Sequence, residues 1–182
     1  MSERIILGID PGTSIMGYGV IKVENRKPSV VTLGIIDLQK IDDHFVKLKM
    51  IFEQTNCLIE KYNPDELAIE APFYGKNIQS MLKLGRAQGT AIAAALSHAI
   101  PIFEYAPRKI KMSITGQGNA SKEQVAFMLQ KMLGLSEIPE NLDATDGLAA
   151  ALCHFFQNKV ENANSGAKSW KDFISNNPGR IR

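Results

Sequence analysis

Four carboxylates stand at the ends of apolar segments, where acidic residues are uncommon. Asp10 ends the apolar run "IILGID" and Glu70 ends "ELAIE", while Asp143 and Asp146 lie three residues apart in "DATDGLAAALCH". Residues three apart in a helix share a face, and negative charge is favoured in a helix's first turn. A buried carboxylate is costly unless it finds a proton, a cation or a metal ion.

If the fold gathers all four carboxylates, their mutual repulsion predicts that divalent cations neutralise them. Ligand sets made only of oxygen suit Mg²⁺, and Mn²⁺ can replace it. Two such ions about 4 Å apart serve phosphodiester cleavage by activating a water and stabilising the leaving oxygen. Taken singly, Asp10 before Pro-Gly is also an ordinary turn residue, and Asp143 and Asp146 are ordinary in a first helical turn.

Alternation, apolar spacing and caps predict the elements that position these residues. Three sequential strands joined by tight turns form an antiparallel meander, with Lys27 and Pro28 marking the second turn. Later strands joined through helices run parallel, and ligand sites in such sheets lie at the carboxyl ends of strands. If the fourth strand pairs with the first, Asp10 and Glu70 meet. The predicted strands are 4–10, 17–24, 29–38, 67–70 and 100–107, and the predicted helices are 43–62, 77–98, 121–134 and 143–157.

The length of 182 residues fits one domain, residues 1–158, followed by a polar tail over 159–182 that is expected to be weakly ordered or ordered only with a partner. No apolar run approaches the ~18 residues that span a membrane, and the start lacks the pattern of a signal peptide. Two cysteines give neither a disulfide framework nor a zinc pattern. These features predict a cytoplasmic protein.

The distribution of charge is more informative than its total, which is only +2. Residues 74–100 carry Lys76, Lys83 and Arg86 and no acidic residue, and residues 104–131 carry five basic residues against two acidic ones. Such a local basic surface can bind phosphates. Lysines that are merely solvated on helix faces are the alternative interpretation.

Small residues recur every four positions in the helix predicted over 77–98. Gly85, Gly89 and Ala93 form a smooth stripe that permits close helix approach. A two-fold interface can pair a helix with its own copy, so the stripe predicts a dimer interface. The alternative is a helix packed closely on its own sheet.

Several segments together resemble the RuvC family of bacterial Holliday-junction resolvases: "GIDPGTSIMGYGVI", "LAIEAPFYGKN", "LGRAQG", "YAPRKIKMSITGQGNASKEQV" and "DATDGLAAALCH". The resemblance covers roughly residues 4–157. It implies a ribonuclease H-like α/β fold with a five-stranded mixed sheet of order 3-2-1-4-5, flanked by helices. It also implies a homodimer that binds four-way DNA junctions and makes symmetric Mg²⁺-dependent nicks in opposed strands during recombination and repair. A branch-migration motor such as the RuvA–RuvB complex is the implied partner.

The resemblance also assigns roles to single residues. The family's four acidic positions fall on Asp10, Glu70, Asp143 and Asp146. Phe73 corresponds to an aromatic that stacks on a junction base, although a core position is its alternative and the preceding Ala71-Pro72 departs from the family's pattern. The remaining candidates for DNA contact are Tyr74 as a second aromatic, Lys111 and Lys122 near the cut phosphate, and Lys76, Lys83 and Arg86 on other phosphates.

Three other functions are compatible with parts of the sequence pattern. "GIDPGTS" is similar to the phosphate-binding hairpin of sugar kinases and actin-like ATPases, but those proteins need two such domains and about twice this length. A nuclease of the same fold that acts on RNA is less favoured because of "EAPF" and the segment with Lys111 and Lys122. A non-catalytic junction-binding module would lack one or more carboxylates, and all four are present.

Overall fold

One mixed sheet separates two layers of helices. The computed structural model describes the backbone of residues 3–72 and 77–164, and the side chains of these residues up to 158. The strands are β1 (Arg4–Asp10), β2 (Ile15–Glu24), β3 (Lys27–Asp37), β4 (Glu66–Glu70) and β5 (Ile102–Tyr105). The helices are α1 (His44–Tyr62), α2 (Ile78–Ser97), α3 (Pro107–Thr115), α4 (Lys122–Leu133) and α5 (Asp143–Asn164).

The strand order is β3-β2-β1-β4-β5, as predicted. β1, β2 and β3 pair antiparallel, whereas β1 with β4 and β4 with β5 pair parallel. Parallel neighbours need a crossover, which α1 and α2 provide. Ile9 pairs with Ile69, so the carboxyl ends of β1 and β4 reach the same edge of the sheet.

Successive residues of β1 face two different cores, because side chains alternate along a strand. Leu7 and Ile9 pack in the core beneath α1 and α2, while Ile6 packs in the core beneath α3, α4 and α5. The same alternation places Gly8 and Asp10 on the side of Ile6. The most hydrophobic strand therefore ends with its carboxylate on the face that α5 covers.

Helix α5 lies directly on β1 and β2 because glycine occupies the contact positions. A Cβ atom at Gly8 would collide with the carbonyl oxygen of Gly147, and one at Gly17 would collide with the carbonyl oxygen of Asp143. A Cβ at Gly19 would lie 2.5 Å from the Cα of Leu148. No side chain fits between helix and sheet at these points, so the start of α5 is held against the sheet edge.

Helix α3 was missed by the sequence interpretation, which extended the fifth strand to residue 107. The strand ends at Tyr105, and Pro107 occupies the first turn of α3. Proline suits this position since the first helical N–H groups have no partner within the helix. Ile110 and Ile114, four residues apart, are buried beneath it.

The turn before β3 and the end of α5 also differ from the prediction, and β2 begins at Ile15 instead of residue 17. Lys27 and Pro28 begin β3, and the turn before it is formed by Asn25 and Arg26, whose φ angles are 52° and 63°. A two-residue hairpin with both φ angles positive matches the twist of the flanking strands. Helix α5 continues to Asn164 instead of ending at residue 157. Residues 165–182 lie outside the described part, so the predicted domain limit and tail stay predictions.

Helix α4 is capped at both ends. Ser121 and Gln124 form a reciprocal capping box, and Gly134 ends the helix with φ 67°. Of the helices in the described ranges, none has the length and apolar character needed to cross a membrane.

We predict that Gly17→Ala lowers the free energy of unfolding by about 1–3 kcal/mol, because the added methyl must push α5 off the sheet. Urea denaturation followed by circular dichroism measures this loss. Gly85→Ala is the matched control, since a Cβ there has no neighbour within 4 Å. Equal stability of Gly17→Ala and the wild type would contradict the close packing.

Candidate active site

Two of the predicted carboxylates come together at the carboxyl ends of adjacent parallel strands. Asp10 and Glu70 follow the paired residues Ile9 and Ile69, and both line one cavity of about 110 Å³. Pro11, Ala71, Pro72 and Leu84 complete its lining. The cavity thus combines two acidic groups with mostly apolar walls.

The other two carboxylates lie in the first turn of α5. Asn141 holds this start, because its side-chain Oδ1 accepts a hydrogen bond of 2.9 Å from the backbone N–H of Asp143. Gly17, paired with Asp10 across β1 and β2, is also the residue on which the Asp143 backbone rests. Through this contact Asp143 and Asp146 reach the edge where Asp10 and Glu70 lie.

Lys122 joins the two carboxylates of α5. Its Nζ lies 2.6 Å from Oδ1 of Asp143 and 2.5 Å from Oδ2 of Asp146. These distances are typical of short charge-assisted hydrogen bonds. The ammonium at the start of α4 is therefore held by two acidic groups of α5.

The titration of the site reflects crowding of negative charge in a partly buried place. Burial raises the pKa of Asp10 to about 7, and the charge of Asp146 adds to the rise. Burial also raises the pKa of Glu70 to about 8, with Asp10 as the second cause. Burial raises the pKa of Asp146 as well, although Lys122 opposes the shift.

Lys122 responds in the opposite sense. Its own burial would lower its pKa, but the hydrogen bonds to Asp143 and Asp146 outweigh burial and raise it. The ammonium is thus charged at any physiological pH. The four acids and Lys122 form one electrostatic unit, in which Asp10 and Glu70 favour protonation near neutral pH.

Comparison with known proteins identifies the family. The sequence profile described as "Crossover junction endodeoxyribonuclease RuvC" matches residues 6–154. The chain belongs to the RuvC family. Relatives of that description from Christiangramia forsetii and Bacteroides fragilis are 62% and 61% identical to it, and each alignment covers 100% of this chain, with 94% and 98% of the relative.

Solved structures agree with this assignment. Thermus thermophilus RuvC, solved in complex with a Holliday junction substrate, is similar with a TM-score of 0.79 and 28% identity, over 87% of this chain and 96% of that one. The yeast mitochondrial resolvase Ydc2 shares the fold alone, at 16% identity and a TM-score of 0.60 over 86% of this chain and 82% of that one. The predicted family and ribonuclease H-like fold are thereby confirmed.

RuvC nucleases use divalent metal ions, and the donor set here fits such ions. The groups are all carboxylates, a cavity lies beside Asp10 and Glu70, and a cation already lies on Asp143 and Asp146. Within the described ranges, no three Asp, Glu, His or Cys side chains are arranged to hold a metal ion. Two of the four carboxylates, Asp143 and Asp146, instead contact the ammonium of Lys122.

The basic residues predicted for DNA contact fall in different places. Lys111 donates a 2.8 Å hydrogen bond from Nζ to the carbonyl oxygen of Ala120, which fixes the loop before α4. Its charge still lowers the pKa of Glu70, so it lies near the site. Lys83 and Arg86 are exposed on α2. Phe73, Tyr74 and Lys76 lie outside the described residues.

The small-residue helix has two distinct faces. Ala87 and Ala91 are buried against the sheet. Gly85 and Gly89 instead face open space, where an added Cβ would meet no atom within 4 Å, and Ala93 is exposed. The stripe of Gly85, Gly89 and Ala93 is therefore not the face that packs on the sheet.

Two residues that support the site were missed in the sequence. Gln88 is buried on α2, and its Nε2 donates to the backbone carbonyl of Glu70 at 3.3 Å and to Oε1 of Glu104 at 2.8 Å. Lys47 on α1 donates to the carbonyl oxygen of Thr13 at 2.8 Å, in the turn after Asp10. A polar residue among the alanines Ala87 and Ala91 of an apolar helix face was the available indication for Gln88.

We predict that the metal-free protein loses stability as pH rises from about 4.5 to about 8. Glu70 has an ordinary pKa of 4.5 but a folded-state pKa of about 8, so the folded chain holds a proton that the unfolded chain has released. Glu70→Gln removes this titrating group, so the stability of the variant should fall less steeply with rising pH. Thermal unfolding in chelator at several pH values measures it, with exposed Glu60→Gln as the control. An unchanged slope in Glu70→Gln would refute the assignment.

Proposed function

We propose that this chain is a structure-specific endonuclease that resolves four-way DNA junctions by symmetric nicks in opposed strands. The observation that carries the proposal is the convergence of Asp10, Glu70, Asp143 and Asp146 at one sheet edge in a member of the RuvC family. The Thermus thermophilus relative solved with a Holliday junction supports the choice of substrate. The role belongs to homologous recombination and DNA repair.

The four carboxylates would hold two Mg²⁺ ions per site, and Mn²⁺ has the same preference for oxygen ligands. The chemistry that divalent ions supply in such a site is activation of a water and stabilisation of the leaving oxygen of a phosphodiester. Asp10 and Glu70 are fixed by paired strands, and Asp143 and Asp146 by the start of α5. These elements bring the four carboxylates to one edge of the sheet before substrate arrives.

Positive groups around the carboxylates would hold the DNA. Lys122 lies in the first turn of α4, beside backbone N–H groups that favour a phosphate. Lys111 places positive charge near Glu70 and orders the loop before Lys122 through Ala120. Exposed Lys83 and Arg86 on α2 would contact further phosphates, which position DNA without reading sequence.

We also propose a homodimer formed through the outer face of α2. Between α1 and α2 the surface forms an open groove whose lining includes Phe52, Gly89 and Ala93. Phe45, Phe52 and Leu82 are exposed apolar side chains on these two helices. A two-fold axis would present two equivalent sites to a junction with two equivalent strands to cut. The RuvA–RuvB complex is proposed as a partner on family membership alone.

We predict that Asp10→Asn lowers the rate of junction cleavage by about 10³-fold or more while junction binding is retained, since other groups position the DNA. The assay is cleavage of a synthetic four-way junction with Mg²⁺ or chelator, beside a linear duplex of the same sequence. Exposed Asp42→Asn is the control and should cleave normally. Cleavage by Asp10→Asn at the wild-type rate would refute the proposed site.

We predict that Gly89→Leu converts the dimer to a monomer without unfolding the chain. The space around Gly89 accepts the side chain within one copy, but the larger group blocks close approach of a second α2. Light scattering after size exclusion measures the mass. Lys131→Leu adds the same apolar group on α4, on the other side of the sheet, and should stay dimeric. A dimeric Gly89→Leu would place the interface elsewhere.

A further inference from the structure

The ammonium of Lys122 lies where the proposed function, on which this inference rests, requires a metal ion. We propose that Lys122 is a tethered counter-cation, which occupies Asp143 and Asp146 in the metal-free protein and competes with divalent metal for them. When metal binds, the side chain is displaced and becomes free for a phosphate. Lys122 would thus set the metal affinity of the site.

The contacts of Lys122 support occupancy of the metal-binding position. One nitrogen lies 2.6 Å from an oxygen of Asp143 and 2.5 Å from an oxygen of Asp146, so it bridges two carboxylates of the first turn of α5. A bridging cation of this kind neutralises groups that otherwise repel each other. A divalent ion at the same oxygens would carry twice the charge and would meet the ammonium as a like charge.

The side chain of Lys122 can leave without disturbing the backbone that carries it. The capping box of Ser121 and Gln124 fixes the start of α4 through its own hydrogen bonds, in which the Lys122 side chain has no part. The Lys122 side chain is 46% exposed, so a path toward solvent is open. Its flexible stem allows the charge to swing while the backbone stays in place.

Lys111 provides a matched comparison within the same site. Both lysines lower the pKa of Glu70 through their charge. Lys111, however, donates to the backbone carbonyl of Ala120, whereas Lys122 contacts two carboxylates. Removal of either charge raises the general attraction for cations, but only removal of Lys122 vacates carboxylate oxygens.

The experiment is calorimetric titration of the DNA-free protein with Mn²⁺ at constant ionic strength. We expect Lys122→Met to bind Mn²⁺ about tenfold more tightly than the wild type, and Lys111→Met to change the affinity by less than about threefold. Lys122→Gln, a second neutral variant, should behave as Lys122→Met. An unchanged or weaker affinity in both Lys122 variants would overturn the proposal, and so would an equal gain in Lys111→Met.

The same titration separates this inference from the proposed function. If Asp146→Asn loses the Mn²⁺ binding that the wild type shows, the metal site stands whatever Lys122 does. If the wild type binds no Mn²⁺ that depends on Asp146, the metal site itself is wrong and the competition fails with it.

Thermal stability gives an independent readout. In chelator, Lys122→Met should unfold at a lower temperature than the wild type because Asp143 and Asp146 then repel without a counter-cation. Saturating Mn²⁺ should remove most of this difference, since metal then neutralises both proteins alike. A difference that persists unchanged with Mn²⁺ would assign Lys122 a structural role and overturn the competition.

Discussion

The contact of α5 with β1 and β2, made without intervening side chains, is the constraint on which the rest of the site depends. Gly8, Gly17 and Gly19 leave room for the helix backbone, and Gly147 does so from the helix side. Close packing of this kind is unforgiving, because interiors have few voids and adjust poorly to one added methyl. The start of α5, and with it two carboxylates, is therefore fixed relative to the strand that ends in Asp10.

This placement has an electrostatic cost that the core elsewhere must offset. Asp10 and Glu70 are buried enough that their pKa values rise to about 7 and about 8, and the charge of Asp10 makes Glu70 still harder to ionise. Lys122 neutralises the repulsion between Asp143 and Asp146 on α5. Asp10 and Glu70 at the strand ends have no such contact with it, and their pKa values stay raised. Crowded carboxylates of this kind favour an added cation, and their repulsion lowers the stability of the cation-free protein. Binding to the folded state alone would return that stability by mass action.

The sequence was sufficient to predict the strand order and the meeting of Asp10 with Glu70, because each of these two acids ends an apolar strand. The roles of the four acidic residues stay predictions. The sequence did not predict α3, since "YAPRKI" supports either the end of a strand or a helix that begins at proline. The turn at Asn25 and Arg26 was placed two residues too late, because proline in Lys27-Pro28 is the stronger turn signal in the sequence. The salt bridges of Lys122 depend on how α4 packs beside α5, which no local pattern encodes.

Helix α2 shows why a stripe of small residues admits two interpretations. Alanine and glycine both permit close packing, but Ala87 and Ala91 face the sheet while Gly85 and Gly89 face outward. Gln88, between the two sets, donates to the backbone carbonyl of Glu70. If two copies pair through the glycine face, the same helix that forms the interface also holds the strand end that carries Glu70. The spacing of the two active sites would then be set by one rigid element in each subunit, as a substrate cut at two symmetry-related positions requires.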